Sequence, residues 1–173
     1  MLRCVLNYNG PKLHKLMKIA SLLPSATEII FQLGLEKHLV GVSHECDYPL
    51  SAQALPRLTF SSVGTQACSA EIHDSVENLL KRAVSVYGLE MDTLRSLAPD
   101  YLITQDLCDV CAVSFSQVEE ACQQILGGQA RILSLRPNYL NDIWGDIKRV
   151  AEALGAVDRY RKFRRDVDHR IAY

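Results

Sequence analysis

The chain has 173 residues, enough for one domain with a core and too few for two ordinary ones. Hydrophobic residues make up 48% and charged residues 23%, which excludes disordered and fibrous classes. A formal net charge of −1 offers no field to draw nucleic acid or an anionic membrane, and no apolar run nears the roughly 18 residues of a membrane span.

Residues 1–16 carry Asn7, Asn9, Lys12 and Lys15 without a continuous apolar stretch, so they do not read as an ordinary secretory signal. Read as it stands, the chain is expected to stay in the cytoplasm. Strong patterning begins at Met17. Ile19 to Leu23 is a short apolar run that stops at Pro24 and predicts a buried strand. Ser25-Ala26-Thr27-Glu28 then reads as a capping box opening a helix, with Gly34 at its end. Leu39 to Val42 supplies the next strand. Strand, helix, strand is the βαβ signature of a parallel sheet.

From Pro49 to Gln66 the chain is rich in Pro, Ser and Thr and reads as loop. Helical spacing returns at Ile72, Val76, Leu79 and Leu80, then at Met91 to Leu97. Pro99-Asp100 leads into a strand at Tyr101 to Thr104. Val118, Ala121, Cys122 and Ile125 mark a further helix ended by Gly127-Gly128, and Ile132 to Leu135 a fourth strand. Leu140, Ile143, Trp144, Ile147, Val150, Ala151 and Leu154 fall on one helical face, with Gly155 after them. Asp158 is placed to cap a last helix whose apolar stripe is Val157, Tyr160, Phe163, Val167 and Ile171. Its other face is basic, but Asp166 and Asp168 interrupt it and no aromatics interleave, so it reads as a solvated face and not a nucleic-acid surface.

Four stretches together carry a resemblance. Ile19 to Glu28 resembles the opening strand and helix of the vitamin B12 and iron-siderophore receptors of ABC importers. Val40 to Pro49 is similar to their second strand and the turn after it. Asp92 to Ile103 resembles the helix and strand that close the lobe, and Thr104 to Ser114 marks a cobalamin-binding subgroup. The resemblance implies a three-layer α/β lobe with a mostly parallel central sheet, followed by the start of a long inter-lobe helix. On this reading residues 1–16 are an extension outside the family pattern. Residues 17–155 form the N-terminal lobe, and 156–173 begin the joining helix, cut off before a second lobe. The family is typically periplasmic or exported, which the expectation of a cytoplasmic chain contradicts.

The implied function is binding of cobalamin, or a related metal chelate, as the substrate-binding component of an ABC importer. No P-loop, Gly-rich dinucleotide turn or nucleophile elbow is present, so no enzyme is expected. His44, Glu45, Cys46 and Tyr48 follow directly on a strand, where open α/β sheets bind ligands. Tyr48 matches a position that contacts cobalamin in the family; its apolar face and hydroxyl suit a flat, amide-fringed corrin. Asp92, and more weakly Glu71, match acidic positions through which such receptors dock on permease arginines.

A competing reading comes from the cysteines. Cys4, Cys46, Cys68 and Cys122 are scattered, while Cys108 and Cys111 have the Cys-x-x-Cys spacing of redox and zinc sites. Cys46 and His44 can complete a zinc tetrahedron with that pair if the two loops meet. The alternative is therefore a cytosolic zinc-binding or thiol-redox protein. Packing without chemistry is the plainest account of the same cysteines.

Overall fold

A computed structural model describes residues 17–61, 87–105, 113–125 and 127–172. In chain order these form β1 (Ile19–Ser21), α1 (Pro24–Gln32), β2 (Leu39–Val42), β3 (Thr59–Ser61), β4 (Tyr87–Leu89) and α2 (Met91–Leu97). There follow β5 (Tyr101–Gln105), α3 (Phe115–Ile125), β6 (Arg131–Leu135), α4 (Leu140–Ala153) and α5 (Val157–Ile171). Short 3-10 turns occupy Glu36–His38 and Leu50–Ala54.

The central sheet is parallel, in the order β2-β1-β5-β6, with Ile19 opposite Leu39 on one side and Tyr101 on the other. Both faces are covered, and the strands alternate between them. Ile19 and Ile103 pack with α1 and α4 through Ile30, Leu33, Ile147 and Val150. Ala20 and Leu102 pack with α2 and α3 through Leu94, Val118 and Ala121. Period-two side-chain direction thus splits one apolar strand between two cores, giving the three layers. From β1 the chain turns to β2 on one side and later to β5 on the other. That reversal puts the switch point at the carboxyl ends of β1 and β5.

Several elements differ from the sequence reading. α1 does not begin with a Ser25–Glu28 capping box: Leu23 holds the cap position and Pro24 the first turn, with no side-chain capping bond. Proline's fixed φ and missing N–H suit that position and move Ser25 inside the helix. The junction is held from beneath instead, where Thr27 Oγ1 donates to Ser21 Oγ (2.9 Å) and Ser21 Oγ to the Leu23 carbonyl (2.9 Å). Likewise Ala156 stands at the cap of α5, and Asp158 pairs with Arg161 at 2.9 Å. The stretch read as loop from Pro49 contains the 3-10 turn and β3, which pairs antiparallel with β4 as a two-stranded sheet. The helix expected around Ile72 to Leu80 lies outside the described residues.

α5 meets the core with half of its stripe. Tyr160 and Phe163 pack on the α1–α4 side, and Phe163 lies 6.1 Å from Trp144, over which Arg164 sits at 4.0 Å. Arg159 donates to the Leu33 and Gly34 carbonyls at the end of α1. Val167 instead borders an open groove of about 370 Å³ that Ile29 and Ile143 also line, and Ile171 is 72% exposed. Among the described residues no helix is long and apolar enough to cross a membrane.

Candidate functional site

The turn after β2 is built by a segment that reaches it from outside the sheet. Residues 56–58 run beside the end of β2: Val42 N–H donates to the Pro56 carbonyl (3.0 Å) and Leu58 N–H to the Val42 carbonyl (2.8 Å). Gly41 permits this approach, since a Cβ there would lie 2.9 Å from Leu58 side-chain carbons. The arrangement carries Arg57 over the turn, where Nη1 donates to the carbonyls of Ser43 and Cys46, both at 2.9 Å. A guanidinium on two carbonyls fixes the path of the chain between them.

The four expected contact residues point different ways. Tyr48 is 60% exposed and Glu45 is exposed, both available to a ligand at this edge. Cys46 is not: it is 0% exposed, in the α1-side core, with Sγ 3.1 Å from Thr27 Oγ1. Because the Thr27 hydrogen goes to Ser21, the thiol is the donor in that contact. Burial pushes its pKa up, which keeps it a neutral thiol. Cys46 therefore belongs to the core beneath the turn and not to its exposed surface. His44 is half-buried with Nδ1 2.7 Å from Thr59 Oγ1, at the start of β3. Among the described residues no group of three or more His, Cys, Asp and Glu is placed to hold a metal. Cys108, Cys111 and Glu71 lie outside the described residues.

The β3–β4 hairpin forms the outer wall. Tyr87 donates its hydroxyl to Glu45 Oε1 (2.8 Å), and its ring is 5.2 Å from that of His44. Phe60, exposed, lies across Gly88, where an added Cβ would come within 2.4 Å of the ring. Asp92 is exposed in the first turn of α2 and pairs with Arg95 at 2.8 Å. α2 leads directly into β5, so its start faces the carboxyl edge of the sheet. At the far end of that edge Tyr139 (79% exposed) and Leu140 (70% exposed) follow β6.

Sequence reasoning missed Arg57, Thr59, Phe60, Tyr87 and Tyr139. The first four belong to short segments whose role is tertiary. Leu58, Thr59 and Phe60 do carry a short β pattern, but three residues are too few to stand out from a loop.

No family model matches the chain, and no curated protein matches it. Solved structures do. The periplasmic heme-binding protein RhuT from Roseiflexus sp. RS-1, in apo form, superposes with a TM-score of 0.61 at 24% identity, over 90% of this chain and 48% of its own. The periplasmic vitamin B12 binding protein BtuF of Vibrio cholerae gives 0.53 at 22% identity, over 88% of this chain and 48% of its own. The petrobactin-binding protein YclQ from Bacillus subtilis gives 0.56 at 13% identity, over 90% and 44%. The chain spans about half the length of these structures and shares the lobe fold of substrate-binding proteins. All three are named as binding proteins and none as an enzyme.

Proposed function

We propose that the chain is the N-terminal lobe of the substrate-binding component of an ABC importer, and that it takes cobalamin or a related planar metal chelate at the carboxyl edge of its sheet. The observation that carries this reading is the exposed Tyr48 on a turn clamped by Arg57, at the carboxyl edge of the sheet, where parallel sheets bind ligands. An aromatic residue left in solvent on a rigid turn is organised for a flat partner, because little order is lost when it is covered. The ligands named for the solved structures support the class: two are macrocyclic metal chelates and one is a siderophore. Asp92, exposed on the same side of the lobe, is the carboxylate we assign to docking on a permease arginine.

The test is titration of the chain with cyanocobalamin, hemin and ferric petrobactin, followed by absorbance, for wild type, Tyr48→Ala and Asp92→Ala. A single lobe contributes one wall of an inter-lobe site, so dissociation constants in the high micromolar range are expected. Tyr48→Ala should weaken the preferred macrocycle about tenfold or more, since a buried aromatic contact contributes roughly 1–3 kcal/mol. Asp92→Ala should leave affinity unchanged. Binding of none of the three, or equal affinity with and without Tyr48, would sink the reading.

A further inference from the structure

His44 has two possible roles toward a metal chelate: an unprotonated ring nitrogen can ligate the metal, and a protonated one can donate to the ligand's rim. The hydroxyls beneath it decide between them. Ser43 and Thr59 are both buried, with Oγ and Oγ1 3.0 Å apart. Thr59 Oγ1 also accepts the His44 backbone N–H (3.0 Å) and meets His44 Nδ1 at 2.7 Å. Ser43 Oγ accepts the Glu45 N–H at 3.3 Å. Each of the two links, Ser43 to Thr59 and Thr59 to His44, needs one hydrogen.

Suppose Nδ1 carried the ring proton and donated to Thr59. The Thr59 hydrogen would then go to Ser43, and the Ser43 hydrogen would have no acceptor among the described residues. Suppose instead that both Ser43 and Nδ1 donated to Thr59. Its oxygen would then accept three hydrogens with two lone pairs, and its own hydrogen would be stranded. In the remaining arrangement Ser43 donates to Thr59 and Thr59 donates to Nδ1. Both hydroxyl hydrogens then have an acceptor, and no oxygen is overfilled. Nδ1 is the acceptor, so the proton of the neutral ring sits on Nε2, which has no partner among the described residues. Tyr87 packs beside the ring and sends its hydroxyl to Glu45, leaving Nε2 unclaimed.

We infer that His44 is held by the Ser43–Thr59 relay as the Nε2–H tautomer and serves as a neutral donor to a carbonyl or carboxylate oxygen on the ligand's rim, not as a ligand to its metal. The ligand half of this statement rests on the function proposed above; the tautomer does not. Two sources of such an oxygen are the amides fringing a corrin and the carboxylates of a porphyrin.

The tautomer is read on the unliganded chain by long-range nitrogen–proton NMR at about pH 8, where an ordinary histidine is neutral. His44 should show a protonated Nε2 and an unprotonated Nδ1. Thr59→Val should abolish that preference, while Ser43→Ala should keep it. A protonated Nδ1 in the wild type overturns the proposal even if no macrocycle binds, so its failure is separate from that of the functional reading. The ligand arm compares His44→Ala with His44→Gln, which keeps a terminal N–H donor and cannot replace imidazole on a metal. Cobinamide and hemin serve as the amide and carboxylate probes. His44→Ala should weaken the preferred probe about fivefold, and His44→Gln should restore most of that, with the absorbance band of the bound metal unmoved in both. A band shift lost in both variants would show metal ligation instead, and an unchanged affinity in His44→Ala would remove His44 from the site.

Discussion

The two turns at opposite ends of the sheet's carboxyl edge do the same thing by opposite means. Each presents an exposed tyrosine, Tyr48 after β2 and Tyr139 after β6. Three strand spacings separate them, about 14 Å at ~4.8 Å per strand. The β2 turn is held by a cation on carbonyls, Arg57 reaching Ser43 and Cys46. The β6 turn is held by anions on amides. Asp142 Oδ2 accepts the N–H groups of Asn138 (3.0 Å) and Tyr139 (2.9 Å), and Asp146 Oδ2 accepts that of Arg136 (2.8 Å). Arg149 steadies Asp146 and donates to the Ser134 carbonyl at 3.0 Å. The difference lies in what must form first. Asp142 and Asp146 act within ten residues of their partners, and they and Arg149 all belong to the helix that directly follows the turn; Arg57 reaches back eleven and fourteen residues, and only because β2 and residues 56–58 have already paired.

The comparison predicts that the long-range brace is the more costly one to lose. Arg57→Ala removes two charge-assisted bonds and leaves the Ser43 and Cys46 carbonyls to find water. It should lower stability by about 2–4 kcal/mol in urea unfolding and make the 43–50 turn a site of limited proteolysis. A loss below about 0.5 kcal/mol would mean that the 56–58 pairing holds the turn without the guanidinium.

Asp146→Ala tests the other end. The carboxylate is buried and accepts the Arg136 N–H, so removing that acceptor is expected to cost about 1–3 kcal/mol. Its partner Arg149 is more than half exposed, so the ion pair itself adds little of this. Hydrogen exchange separates the two turns: the Arg136 amide should exchange faster in Asp146→Ala, and the His44 amide should not. Faster exchange at both would show that the edge behaves as one unit and not as two independently braced turns.

The same contrast governs what could be read from sequence. The four sheet strands and the helices α1 to α5 follow from local apolar periodicity, and the covering of both sheet faces follows from βαβ order. Leu140 to Leu154 was legible as α4 because each turn of it repeats the same face. The β2 turn was legible as a place, by its strand-end position, but not as a structure. Nothing local says that Cys46 goes inward to Thr27 while Tyr48 goes outward, because that choice is made by Arg57 and by the β3–β4 hairpin. β4 is contributed by residues 87–89, and its Tyr87 lies 42 positions from the Glu45 it bonds. The capping box failed for a local reason, since Pro24 outcompeted Ser25 for the start of α1.

The smallest predicted effect is an alkaline one, and it belongs to the β2 turn alone of the two. Under that turn the Cys46 thiol donates to Thr27, whose own hydrogen is committed to Ser21, so a thiolate there would face an oxygen lone pair in the core. Burial raises the pKa of the folded thiol above its unfolded value. The unfolded chain therefore gives up this proton at lower pH than the folded one. The stability that follows is complete below the ordinary thiol range near ~8.5 and is lost as pH rises through the folded value. Cys122, in the opposite core against the Ala130 carbonyl, is raised by burial too and acts with the same sign. Cys46→Ala should cost about 1 kcal/mol at neutral pH for the lost sulfur packing, yet flatten part of the decline above the thiol range. Adding Cys122→Ala should flatten more of it. Urea midpoints measured from neutral to alkaline pH decide the matter. If the single variant declines as steeply as wild type, the alkaline sensitivity comes from elsewhere, and the inward placement of Cys46 has no part in how this turn responds to pH.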